Sequence, residues 1–186
     1  LEGCHGVGKT TLINDLQQSG QIVLDEMFLD MPTYKVIQSQ SLTMETLWVS
    51  KWMNRLLELR DKHANETLFA DRSPYSAIYY SKSSPQNQQI LKTLIDEQIR
   101  ILKQHNIFVF TVCLVVNHDL LWKRILCRLE FEPERKQYNE DSRKWMEDTS
   151  RWYENFTWDY VVDNSAQLIP PRLVLRDVLT EIDSIQ

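Results

Sequence analysis

The apolar positions along the chain fall into two alternating periods. Short β-rich runs stand at 20–26 (GQIVLDE), 66–72 (ETLFADR), 106–116 (NIFVFTVCLVV) and 158–164 (WDYVVDN). The third is nearly all apolar, as a strand covered on both faces would be. Between these runs the spacing turns helical. Residues 10–20 (TTLINDLQQSG) predict a short helix stopped by Gly20. Ile90, Leu91, Leu94, Ile95 and Ile99 recur at helical spacing behind Ser84 and Pro85, a good N-cap and first helical position. Amphipathic patterns over 118–130, 139–156 and 171–185 predict three more helices. Strands alternating with helices predict an α/β chain, a five-stranded parallel sheet with helices on both faces.

The fifth strand of that sheet is the one expected ahead of Gly3. Only Leu1 and Glu2 stand there, so the first strand is expected to be truncated, with the chain beginning inside its own sheet. No repeat, low-complexity tract or linker interrupts the pattern, and residues 1–186 are expected to form a single domain. Each predicted strand ends in polar residues: the glycine loop, Asp25-Glu26, Asp71-Arg72, Asn117-His118 and Asp163-Asn164. In such folds the ligand lies beyond the strand C-termini, so these ends are expected to converge on one edge.

Composition narrows the partners. The 186 residues carry a net charge of −5, against binding long nucleic acid but not against a nucleotide, which needs only a local cluster of cations. No apolar run nears the roughly 20 residues of a membrane span. Three scattered cysteines suggest a reducing compartment and give neither a disulfide framework nor a zinc site. A cytoplasmic protein is expected, with a mitochondrial one also compatible.

The chemistry starts at Gly3-Cys4-His5-Gly6-Val7-Gly8-Lys9-Thr10, a full match to G-x-x-x-x-G-K-[ST]. Glycines let the backbone curl so that N–H groups point at phosphate oxygens, and the helix behind adds its dipole. Phosphates are expected on Gly3, Gly6, Val7, Gly8, Lys9, Thr10 and Thr11. Lys9 would reach the β- and γ-phosphates, and the Thr10 hydroxyl would ligate Mg²⁺. Cys4 and His5 read as spacers. Glu26, at a strand end, is placed to accept a proton from a substrate hydroxyl, unless it is simply a solvated acid. Asp71 suits Mg²⁺ through water, and Arg72 suits a bridge between phosphate and attacking oxygen; a structural ion pair is the bland alternative. Arg124 and Arg128 share a helix face, with Arg135 and Lys136 beyond an acidic, Pro-containing break. A lid over about 124–140 would neutralise the transferring group and exclude water; the interleaved Glu130, Glu132 and Glu134 suit a solvated helix equally.

Taken in order, these motifs resemble the deoxynucleoside kinases, including the herpesvirus-type thymidine kinases, within the thymidylate-kinase-like P-loop kinases. EGCHGVGKTT looks like their glycine loop, and DRSPYSAIYYS is similar to their E-R-S-x-Y-S segment, with Asp for Glu. The resemblance runs from Gly3 to about Ser165. It implies the three-layer P-loop NTPase fold and transfer of the ATP γ-phosphate to a nucleoside 5′-hydroxyl. Glu26 would be the base, Arg72 would orient the oxygen, Asp71 and Thr10 would serve Mg²⁺, and Arg128 would clamp the phosphoryl group. Tyr34, or a lid glutamate, would meet the sugar 3′-hydroxyl, and a homodimer through helices is implied. The chain departs from the pattern at Met27, where the family has Pro, and at Glu130, where it has a second lid arginine. Counting back from Arg55, which matches a family arginine, the base-reading Gln is replaced by Trp48, unless Gln38 or Gln40 substitutes. Trp48 can stack but cannot make the bidentate pair.

Two rivals stand beside this reading. A nucleoside monophosphate kinase would need a further arginine for the acceptor phosphate, for which Arg55 and Arg60 are candidates. A non-catalytic P-loop subunit is the other, and the intact Gly8-Lys9-Thr10 speaks against it. A switch GTPase lacks its N-K-x-D.

Overall fold

All four predicted strand runs form strands in the computed structural model, which describes residues 1–26, 31–64, 66–165, 175–176 and 179–180. Most of the helix expected over 171–185, and Met27, lie outside the described residues. The chain divides into two compact units, one of Leu1–Gln21 with Thr111–Gln186 and the other of Ile22–Phe110.

The first unit opens with the glycine loop and α1 (Lys9–Gln18), which ends two residues before Gly20 and buries Leu12, Ile13 and Leu16. β3 (Val112–Val115) pairs in parallel with β4 (Tyr160–Asp163), Val112 opposite Tyr160. Parallel neighbours need a crossover. Here it consists of α5 (His118–Phe131), a 3-10 helix (Pro133–Tyr138) and α6 (Arg143–Asn155). The Asn117 side chain caps α5 by accepting from the Asp119 and Leu120 N–H groups, and Ser142 caps α6 through the Trp145 N–H. Ile125 and Met146 lie fully buried. Val112 O and Leu114 N bond Glu2, whereas Thr111 O and Val115 O accept from the β4 side. Neighbouring residues of a strand present backbone groups to opposite edges, so β3 lies between Glu2 and β4.

In the second unit β1 (Ile22–Leu24) pairs in parallel with β2 (Leu68–Ala70). Their crossover is α2 (Leu42–Lys62), capped by Ser41, whose hydroxyl accepts from the Met44 N–H. α3 (Ser76–Tyr80) follows β2, and α4 (Pro85–Gln104) starts with Ser84 as N-cap and Pro85 first, as the sequence predicts. α2, α3 and α4 pack on one another. No helix of the described residues is long and apolar enough to cross a membrane.

The expected five-stranded sheet is corrected. The described residues form two parallel sheets of two strands each. The strands are only three or four residues long, and charge ends β1 at Asp25 and β2 at Asp71. Glu2 contributes a single bridge to β3, because Gly3 turns the chain out of extended conformation at φ +131°. A Cβ at Gly3 would stand 2.4 Å from the Leu114 carbonyl oxygen, so only glycine lets the loop leave the sheet so abruptly.

Candidate functional site

The strand ends gather into two clusters, one in each unit. In the first unit the loop glycines Gly3, Gly6 and Gly8 all have positive φ. Gly8, at φ +103°, is the N-cap of α1 and gives it no side-chain cap, so the first N–H groups of the helix fall to whatever the loop cradles. Lys9 is buried, its Nζ donating to the carbonyls of Gly3 at 2.7 Å and Cys4 at 3.1 Å. The ammonium is thus fastened against the loop on which its chemistry depends. Val7 is buried, Gly6 half-buried, and Thr10 and Thr11 are exposed at the helix start. A curl of backbone with a buried cation fits a polyphosphate, and the Thr10 hydroxyl is the hard oxygen that Mg²⁺ takes.

The β3 and β4 ends close on the same loop. Asn164 Nδ2 donates to the Val7 carbonyl at 2.7 Å, and Arg124 Nη2 donates to the Asn164 carbonyl at 3.0 Å. Ser165 Oγ accepts from the Asn117 N–H at 3.0 Å. The Ser165 hydroxyl and N–H hold the Asp163 carboxyl below its usual range.

The arginines expected to form a lid part company. Arg128 donates to Glu140 Oε2, and Arg135 reaches the other oxygen of the same carboxylate at 3.4 Å while its Nε donates to Glu132. Glu140 is 10% exposed and balances both cations. Arg124 and Arg128 stand one turn apart, as their spacing predicts, but hold different partners.

The second unit gathers the other ends. The Asp71 N–H donates to the Leu24 carbonyl at 2.8 Å, which fastens the ends of β1 and β2 together. Arg72 Nε donates to Glu26 Oε1. The Arg72 guanidinium also lies over the Tyr80 ring, 5.1 Å from its centroid, a cation–π placement, and Nη1 meets the Tyr80 hydroxyl at 3.3 Å. Asp71 is buried.

One face of α2 serves this cluster. Trp48 Nε1 donates to the Glu26 carbonyl at 3.2 Å and Trp52 Nε1 to the Arg72 carbonyl at 3.1 Å. Glu45, one turn before Trp48, is 3% exposed. Burial pushes its carboxyl up to about 8, Arg72 opposing and Glu26 adding to the rise. Arg55, further along α2, donates to Asp25 through both Nη atoms, at 3.0 Å to its carbonyl oxygen and through an ion pair to its carboxylate. Tyr34 is exposed and bridges Ile37. The Gln38 carbonyl accepts from the Ser41 hydroxyl at 2.7 Å.

Glu45, Trp52, Glu140 and Asn164's contact with the loop were not singled out from the sequence. Glu45 carries a legible signal. Met44, Glu45, Trp48, Val49, Trp52, Met53 and Leu56 make the buried stripe of α2, and an acid inside an apolar stripe marks a special environment. Glu140 carries no such signal, lying among exposed polar residues.

Set against known proteins, the chain matches no curated protein. Residues 1–168 match the family model of the AAA domain. That span holds the whole of the loop, α1 and both clusters of strand ends. The chain belongs to the AAA domain family, a P-loop NTPase-type domain whose match suggests nucleotide binding.

Proposed function

We propose that the protein is a nucleoside kinase, transferring the γ-phosphoryl group of ATP to the 5′-hydroxyl of a nucleoside or deoxynucleoside. The Glu26–Arg72 pair carries the reading. It places a carboxylate beside a fixed guanidinium, in a chain that also holds a phosphate loop. An acceptor hydroxyl needs both, one to take its proton and one to steady the oxygen as it attacks.

In the proposed reaction the O5′–H bond breaks and the proton passes to the Glu26 carboxylate. The O5′–Pγ bond forms as the bond from Pγ to the bridging oxygen breaks, and that electron pair stays on the β-phosphate of ADP. Lys9 balances charge on the β- and γ-phosphates, Arg72 steadies O5′, and Arg128 takes up charge on the transferring group. Thr10 and Asp71 are the residues assigned to Mg²⁺, which when bound would neutralise phosphate charge. Tyr34, Trp48 and Arg55 are assigned to the acceptor. Arg55 is already held by Asp25, which favours a nucleoside over a monophosphate acceptor.

A coupled ATP-consumption assay across nucleosides and their monophosphates tests the proposal. Turnover with nucleosides is expected. Turnover with monophosphates alone reassigns the protein as a monophosphate kinase. If ATP is not consumed and does not raise the melting temperature, the chain is a non-catalytic P-loop subunit.

A further inference from the structure

Asn164 is fixed at three points. Its N–H donates to the Val115 carbonyl at 2.8 Å, its own carbonyl accepts from Arg124 at 3.0 Å, and its side-chain amide donates to the Val7 carbonyl at 2.7 Å. A strand, a helix and the loop meet in one residue. A Cβ at Gly8 would stand 2.9 Å from Asn164 Nδ2, so loop and amide approach as closely as glycine allows.

The contact has a geometric consequence. The Val7–Gly8 peptide is planar and trans, so its carbonyl and N–H point in opposite directions. Turning the Val7 carbonyl onto Asn164 turns the Gly8 N–H the other way. Among the described residues that N–H has no acceptor. An N–H held outward in a curl of positive-φ glycines is an anion donor.

We propose that Asn164, with Arg124 behind it, is a positioning residue that sets the Val7–Gly8 peptide so that the Gly8 N–H meets a nucleotide's phosphate. Arg124 then belongs to the loop brace and not to a lid. The inference rests on nucleotide binding by the loop and is independent of the acceptor.

The test is isothermal titration of the full chain with Mg²⁺–ATP and with Mg²⁺–tripolyphosphate, which has phosphates but neither base nor sugar. Asn164→Ala removes the amide, and Asn164→Asp keeps the shape without the donor. Both variants are expected to weaken both probes by the same factor, about tenfold, as loss of one well-placed hydrogen bond does. Arg124→Lys, which keeps a donor, should bind more tightly than Arg124→Ala. Unchanged affinity in folded Asn164→Asp overturns the inference, as does a loss confined to ATP, which would place Asn164 at the base or sugar. A wild type that binds neither probe overturns the nucleotide-binding reading and this inference with it.

Discussion

Trp52 donates its indole N–H to the carbonyl of Arg72, the residue whose backbone sits at φ +70°. A non-glycine residue in the left-handed region is strained, and such strain persists only where the surroundings over-determine it. Trp52 supplies part of that restraint. Trp52→Phe keeps most of the volume but removes this hydrogen bond. It is expected to lower stability by about 0.5–1.5 kcal/mol in urea unfolding, the net worth of one hydrogen bond.

Glu45 makes stability depend on pH. Its folded value of about 8 lies above the ordinary 4.5, so between these values the folded chain keeps a proton that the unfolded chain has lost. Stability from this group is complete below the unfolded value. It falls by up to about 1.4 kcal/mol per pH unit as pH rises towards 8. Glu45→Gln should flatten the slope and leave the variant more stable than wild type at pH 8. Melting temperatures of both chains from pH 5 to 8 check this.

Lys9→Ala and Glu26→Gln should both stop phosphoryl transfer, for different reasons. Loss of the buried ammonium is expected to weaken ATP binding by about 10–100-fold. Loss of the base should leave binding near wild type and lower turnover by about 10²–10⁴. Titration beside the turnover assay separates the two. Near-normal turnover of Glu26→Gln would reassign the base to Asp71.

The cysteines should divide by reactivity. Burial pushes the Cys113 thiol up to about 12, with Glu2 adding to the rise, and Cys4 is buried too. Cys127 is exposed. One thiol per chain should react promptly with Ellman's reagent at pH 8 in the native protein, and all three in denaturant.

The elements themselves were legible because each is written in a local period. Ser84-Pro85 opens α4 where the sequence places it, and all four strand runs form. The sheet was not legible. Which strands pair is a non-local matter, and strands of three or four residues leave the period-two signal little room. The site divides the same way. Glu26 and Arg72 were found because strand ends in such folds carry chemistry, and the structure pairs them. Trp48 was singled out as a surface for a base; that its indole N–H also holds the Glu26 backbone could not be read, because the partner lies 22 positions away. The Arg124–Asn164 contact spans 40 positions, and no window along the chain contains both.

The brace on the phosphate loop joins residues 157 positions apart, whereas Glu26 and Arg72 are separated by 46. The chain leaves the first unit after Gln21 and re-enters it at Thr111. A ribosome therefore completes the whole second unit before it has made the partner that the loop is waiting for. Domains generally fold as units during synthesis, N-terminal first. In this chain the order is inverted. The Glu26–Arg72 pair can assemble on the nascent chain, and the glycine loop, although made first, takes its final shape last.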